Sequence, residues 1–359
     1  MTRCKRSLFT PDSQMTRTGR PNRSNTVLAA LLKYGVPLVI TVGLCTLLFR
    51  GMDLREMWRT MRAECDFRWM WGNLAFTILA MASRAARWRI QLRGLGINSP
   101  FGELLLSIFG TYSVNLVLPR LGEVWRSGFI ARRRNAPFTR VFGSMVADRL
   151  ADTVCVALIT LVTFLFAGSQ LRSYLEQDPD MGRGIIDFLT SPLLWGAVAA
   201  VAAAGVFLLL RYPDHPAVVR LKQIWKGLWE GFAVIAHMRG KGLWCLYTVA
   251  IWACYIISLW FAFRSFPLTA RAIDLYGPLA LLVCFVLSSI AMGVPSNGGI
   301  GPYQWALIFG LTLYSAGIPG LDYNYCATFA NMIMGTQTLF LILLGIFTFT
   351  RIALSRKSK

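Results

Sequence analysis

The sequence predicts an all-α polytopic membrane protein of about eight transmembrane helices, arranged as two pseudo-symmetric halves that each contain a broken or re-entrant helix. Three observations predict it. Hydrophobic residues make up 55% of the chain and charged residues only 15%, too apolar a balance for a soluble domain. The apolar runs are long and continuous, without the period-two alternation of a lipid-facing barrel strand, so helices are the spanning element. A helix-breaking Pro-x-x-Gly also ends an apolar run twice, once in each half.

In chain order, residues 1–32 read as a basic, disordered cytoplasmic tail, within which Met15 is an alternative start. The first apolar run follows some thirty polar residues and lacks a small-residue cleavage site, so no cleavable signal is expected. Spans are expected at 34–50, 69–88, 141–168, 191–211, 242–265, 275–294, 302–318 and 324–350, each near the roughly 20 apolar residues that a crossing needs. The further run 101–119 is flanked by Arg84, Arg87, Arg89 and Arg93 on one side and by Arg132, Arg133, Arg134 and Arg140 on the other. Positive charge marks cytoplasmic loops, so both ends of 101–134 are cytoplasmic. The segment is therefore expected to enter, turn between Pro119 and Gly122, and return.

The other connections agree. The loop after the first span balances four arginines with four acids, 169–190 is net acidic, and 211–241 and the tail 351–359 are basic. Both termini are thus expected in the cytoplasm, with the protein multi-pass in the inner membrane. One transmembrane domain, 33–350, divides into a first half of about 33–211, an amphipathic interfacial segment of about 212–241, and a second half of about 242–350. The net charge of +20 resides in short loops beside apolar helices, which points to anionic membrane lipids and not to nucleic acid. Eight scattered cysteines and two histidines offer neither a disulfide framework nor a zinc site, and no GxxxxGK[ST] loop occurs. No metal or other cofactor is expected.

The candidate site comes from the repeated break. Pro119 with Gly122 corresponds to Pro295 with Gly298, and Gly299 and Gly301 extend the second break. The glycines let backbones approach closely and leave amides free to face an anion. Each break is followed by a span carrying polar residues: Asp148, Arg149 and Asp152 in the first half, Asn331, Thr336 and Gln337 in the second. A charge at the membrane centre costs at least about 2.5–3.5 kcal/mol. Glu123 with Arg126, and Arg149 with Asp152, stand three residues apart on a helix and can soften that cost by pairing. Arg120, Arg126 and Arg149 are expected to line a polar cavity and take a lipid phosphate, with Glu123 and Asp152 orienting them and Asp148 in the same network. Arg84 and Arg87 read as snorkelling anchors, and Trp58, Trp69, Trp71, Trp88, Trp195 and Trp244 as an interfacial belt.

Taken together, LPRLGEVWRSGFIARR, FGSMVADRLADT and VPSNGGIGPYQWA resemble the transmembrane region of the lysylphosphatidylglycerol synthase family, also called the flippase-like domain, over about 33–350. The family's Pro-x-x-Gly-Glu with a following Arg, and its Asp-Arg-x-x-Asp, are matched by Pro119, Gly122, Glu123, Arg126, Asp148, Arg149 and Asp152. Where many members carry an acid after the glycine cluster this chain has Gln304, and a neutral run at 330–334 replaces a common arginine. Gln304 and Asn331 are therefore the second half's polar contribution, and the first-half charges carry the expected binding. The resemblance implies a flippase or lipid transporter without the aminoacyl-transferase domain, moving an anionic phospholipid or a polyprenyl-phosphate-linked lipid between leaflets, and not an enzyme. Two other classes stay open: a membrane-embedded headgroup-modifying enzyme using Glu123 or Asp152 as base, and a non-transporting scaffold that partners an envelope-biosynthesis enzyme. The headgroup, the direction and energy source of movement, and the oligomeric state are not legible in the sequence.

Overall fold

The computed structural model describes residues 54–177 and 238–357, with single positions 196, 226, 229 and 233 between them. The tail 1–32, the spans expected at 34–50 and 191–211, the acidic connection from 178 on and nearly all of the interfacial segment lie outside the described residues.

All regular structure among the described residues is helical. The first helix, α1 (Leu54–Glu64), leads into α2 (Phe67–Gly94), whose start is set by the Asp66 side chain accepting from the Arg68 amide at 3.0 Å. Next come α3 (Phe101–Val117), α4 (Leu121–Arg133), α5 (Phe138–Gln177), α6 (Lys241–Arg264) and α7 (Pro267–Tyr276). The chain closes with α8 (Pro278–Ala291), α9 (Pro302–Thr312) and α10 (Tyr323–Lys357). Proline opens each of α7, α8 and α9, where its missing amide and fixed φ fit the first turn.

The frame is the antiparallel pair α2 and α6. Trp69 packs edge-on against Trp260, the Asn73 amide donates to the Ser258 carbonyl at 2.9 Å, and Arg87 reaches Thr248 near the far end. Gly72 makes that approach possible, because a Cβ there would lie 2.2 Å from the Phe261 ring.

Two helical hairpins fill the frame from opposite ends. The first, α3 and α4, follows the C-terminal end of α2 and has its mouth in a core built on Trp88, Leu104, Ile130 and Val141. The second, α8 and α9, follows the C-terminal end of α6 and has its mouth in a core of Phe263, Phe266, Leu281, Leu311 and Phe329. Because α2 and α6 are antiparallel, the mouths lie at opposite ends of the molecule. The tips meet between them: the Gly298 amide donates to the Asn115 carbonyl at 2.9 Å, and the Arg120 guanidinium donates to the carbonyls of Met292 and Gly293. α10 runs from one core to the other, with Phe329 in the second and Leu341 and Leu344 against the first.

The first hairpin has the turn expected of 101–134. In the second half, the two spans expected at 275–294 and 302–318 are instead helices of 14 and 11 residues. These rise about 21 and 16 Å, short of the roughly 30 Å hydrocarbon core. The stretches Phe138–Phe166, Lys241–Arg264 and Tyr323–Ser355 are long and apolar enough to cross alone. α7 and α8, bent by 114°, reach that length only together. At 28 residues α2 has the length for the span expected at 69–88, but its arginines and Asn73 dilute its apolarity. Among the described residues, three helices, or four with the bent pair, are long and apolar enough to cross, so the count of eight is not confirmed.

Candidate functional site

A cavity of about 340 Å³ lies where the hairpin tips meet, walled by side chains from α2 to α6 and from α8 to α10. Its charged lining is Arg84, Arg120, Glu123 and Arg149. Two local features shape it. At the first tip Arg120 adopts a left-handed backbone, φ 63°, and the Asn115 side chain accepts from the Gly122 amide at 2.8 Å. Gly122 is obligatory there, since a Cβ would sit 2.2 Å from the Thr111 carbonyl oxygen. At the second tip Gly298, Gly299 and Gly301 all have positive φ, and the Gln304 side chain accepts from the Gly301 amide at 2.7 Å to cap α9.

Behind the cavity wall is a buried ion network. Asp152 receives Arg84 and, at 2.7 Å, Arg87, while Asp148 stands 2.7 Å from Arg87 and 3.7 Å from Arg84. Arg126 lies 4.0 Å from Asp148, stacked at 3.7 Å over the Trp88 ring. It is fully buried, and its guanidinium nitrogens find no hydrogen-bond partner among the described residues. On the cavity side Arg149 donates to Glu123 at 3.0 Å and lies 3.8 Å from Asp152. Four guanidinium groups, Arg84, Arg87, Arg126 and Arg149, therefore face three carboxylates, and Arg120 adds a further positive charge at the first tip. The surplus is positive, in surroundings where an unpaired charge is costly.

This geometry sorts the sequence expectations. Arg120, Glu123 and Arg149 line the cavity. Arg126 does not: its fully buried side chain turns into the protein and stacks on Trp88. The anticipated Glu123–Arg126 pair gives way to Glu123 with Arg149, whereas the Arg149–Asp152 contact is present. Asp148 and Asp152 stand behind the wall, holding Arg84 and Arg87. Gln304 and Asn331 are hydrogen bonded to each other and brace the second break without lining the cavity. Gly298 and Gly299 line it, and Pro119, Pro295 and Gly301 frame the tips.

Arg84 and Arg87 are not snorkelling anchors, being 3% and 0% exposed. Trp88 leaves the belt as well, buried with its indole N–H donating to Ser144 at 3.1 Å, while Trp58 and Trp71 are exposed as a belt requires. Sequence reasoning missed Asn73, Asn115, Tyr112, Tyr255 and Ser296, all of which line the cavity. Tyr112 and Tyr255 join hydroxyl to hydroxyl at 3.1 Å across it. Among the described residues no group of three or more His, Cys, Asp or Glu side chains is placed to hold a metal.

In chemical terms the arrangement offers guanidinium donors to an anion at the junction of two broken helices, with carboxylates and buried arginines fixing their orientation. Comparison with known proteins adds the following. The family model described as the lysylphosphatidylglycerol synthase TM region matches residues 35–345. A UPF0104 membrane protein of Pyrococcus horikoshii is 27% identical over 132 residues, which is 36% of this chain and 38% of that protein. The glycosyltransferase AglD of Haloferax volcanii is 29% identical over 145 residues, 40% of this chain and 22% of that protein. The matches thus span well under half the length of these curated relatives. No solved structure matches the chain.

Proposed function

The chain belongs to the family of the lysylphosphatidylglycerol synthase transmembrane region, and from that membership we propose that it carries an anionic lipid headgroup between leaflets, without catalysing a reaction. The candidates are an anionic phospholipid and a polyprenyl-phosphate-linked lipid. The observation that carries this reading is the arginine-lined cavity at the meeting point of two opposed hairpins. Broken helices that meet near mid-membrane are where transporter folds place their substrate.

In this account the lipid phosphate enters between the tips and accepts hydrogen bonds from Arg120 and Arg149, while Arg84 supplies charge from the wall. Glu123 and Asp152 keep the guanidinium planes directed inward. Acyl chains remain in the bilayer. The first hairpin, with Arg132, Arg133 and Arg134 at its mouth, opens to the cytoplasm, and the second opens to the opposite side. Replacing two spans by a hairpin preserves parity, so both termini stay cytoplasmic in the inner membrane.

Liposomes reconstituted with the purified chain test this. Fluorescent phosphatidylglycerol should become accessible to a membrane-impermeant quencher faster than fluorescent phosphatidylcholine. Arg149→Gln should slow it about tenfold, the worth of one charge-assisted hydrogen bond. Equal rates for both lipids, with Arg149→Gln unchanged, would refute the carrier reading. A second reading, service in a sugar-transfer step, is favoured by the likeness to a protein named a glycosyltransferase. It requires glycosylated product to disappear while lipid movement persists.

A further inference from the structure

Beside its arginines the cavity holds polar atoms that ask for a different kind of partner. Asn73 is 1% exposed; its amide N–H donates to the Ser258 carbonyl, and its carbonyl oxygen Oδ1 has no hydrogen-bond partner among the described residues. Ser296, at the second tip, is 7% exposed, and its hydroxyl is likewise unpartnered. Both residues line the cavity. A buried carbonyl oxygen without a donor costs about 1–3 kcal/mol, which a ligand donating a hydrogen bond would recover. A phosphodiester has no donor to give it.

Position and charge narrow the ligand further. Asn73 precedes Arg84 on α2 by eleven residues, about 16 Å of helix, and the arginine side chain leans back toward the N-terminus and shortens that gap. The orphan acceptor therefore lies one headgroup's length beyond the guanidinium, too far for a bare phosphate. Trp252 and Tyr255, edge-to-face with each other, form an aromatic wall of the same cavity. An ammonium group would also donate to Asn73, but each nearby carboxylate is already committed: Glu123 to Arg149, Asp148 and Asp152 to Arg84 and Arg87. A cationic headgroup would then meet surplus guanidinium charge with no acid to balance it.

We propose that the headgroup is a phosphodiester bearing an uncharged, sugar-sized polyol, its phosphate at Arg84, Arg120 and Arg149 and its hydroxyls at Asn73 and Ser296. This rests on the reading of the cavity as a lipid headgroup site and names the substrate class. Two sources share that chemistry, an inositol-type glycerophospholipid and a polyprenyl-phosphate sugar.

Native mass spectrometry of the purified full chain, with competing lipids added in equal amounts, tests it. One series contains phosphatidylinositol, phosphatidylmethanol, lysyl-phosphatidylglycerol and phosphatidylcholine; a parallel series contains polyprenyl phosphate with and without a hexose. Phosphatidylmethanol carries the same single phosphodiester charge without a hydroxyl. A polyol-bearing lipid should be retained about tenfold over its polyol-free partner in at least one series, as two neutral hydrogen bonds imply, and the series in which this occurs names the source. Ser296→Ala and Asn73→Leu should each bring that ratio toward one; Ser296→Ala, a small change in a loop, keeps the test open if Asn73→Leu does not fold. Ratios of one in both series, or preferential retention of lysyl-phosphatidylglycerol, would overturn the proposal. If phosphatidylinositol and phosphatidylmethanol then remain equally favoured over phosphatidylcholine, the headgroup site itself stands. If phosphatidylcholine binds as well as either, the site falls too.

Discussion

Arg120 holds a left-handed backbone that a side chain adopts at a cost of about 1–2 kcal/mol, and its guanidinium spans to two carbonyls of the opposite hairpin. The two effects are separable. Arg120→Ala loses the clasp and keeps the backbone strain, whereas Arg120→Gly loses the clasp and relieves the strain. Unfolding in detergent should therefore find Arg120→Gly more stable than Arg120→Ala by about 1 kcal/mol. The buried network allows a second ranking. Arg87 stands 2.7 Å from both Asp148 and Asp152, so Arg87→Met strands two buried carboxylates beside the remaining arginines and should cost about 3–5 kcal/mol. Arg126 touches Asp148 only at 4.0 Å, so Arg126→Met should lower the melting temperature less. Sequence patterning found Arg120, Glu123 and Arg149 because they follow a break in an apolar run. It could not find the roles of Arg84 and Arg87, whose partners are on α5, more than sixty residues away. Asn73 left no trace in the sequence either, as a lone amide in an apolar helix has no periodicity to betray it.

At the scale of elements, close helix approach rests on particular glycines. In the first hairpin a Cβ at Gly122 would press on the Thr111 carbonyl and the Asn115 side chain, so Gly122→Ala should destabilise by about 1–3 kcal/mol. Six residues further along the same helix, a Cβ at Gly128 would meet only a Phe138 ring carbon at 4.0 Å. Gly128→Ala should be neutral or stabilise by up to about 1 kcal/mol through helix propensity. Chemical unfolding of both variants checks the contrast. The first hairpin was legible because arginines flank it on both sides, a charge signal independent of its hydropathy. The second was not, since 275–294 and 302–318 are as apolar as true spans. Hydropathy does not register that Pro278, the glycine-rich break and Pro302 confine helical structure to 14 and 11 residues. The repeated Pro-x-x-Gly signalled the likeness of the two breaks, but that their tips touch is a tertiary fact that only the antiparallel packing of α2 and α6 creates.

For the whole molecule, the account requires two hairpins that open toward opposite faces and enclose one cavity between their tips. The described helices impose that opposition on each other, because α2 and α6 point in opposite directions and each delivers the chain to the mouth of its own hairpin. In the proposed orientation, drawn from charge bias, the mouth near Arg132, Arg133 and Arg134 faces the cytoplasm. Membership of a membrane family is consistent with this frame. The most direct test is side-specific labelling of single cysteines at Asn135 and Asp322, next to the first and second mouths, in a variant whose native cysteines are replaced. A membrane-impermeant maleimide should reach Asn135→Cys only from the cytoplasmic face and Asp322→Cys only from the opposite face; labelling of both positions from the same face would contradict the account.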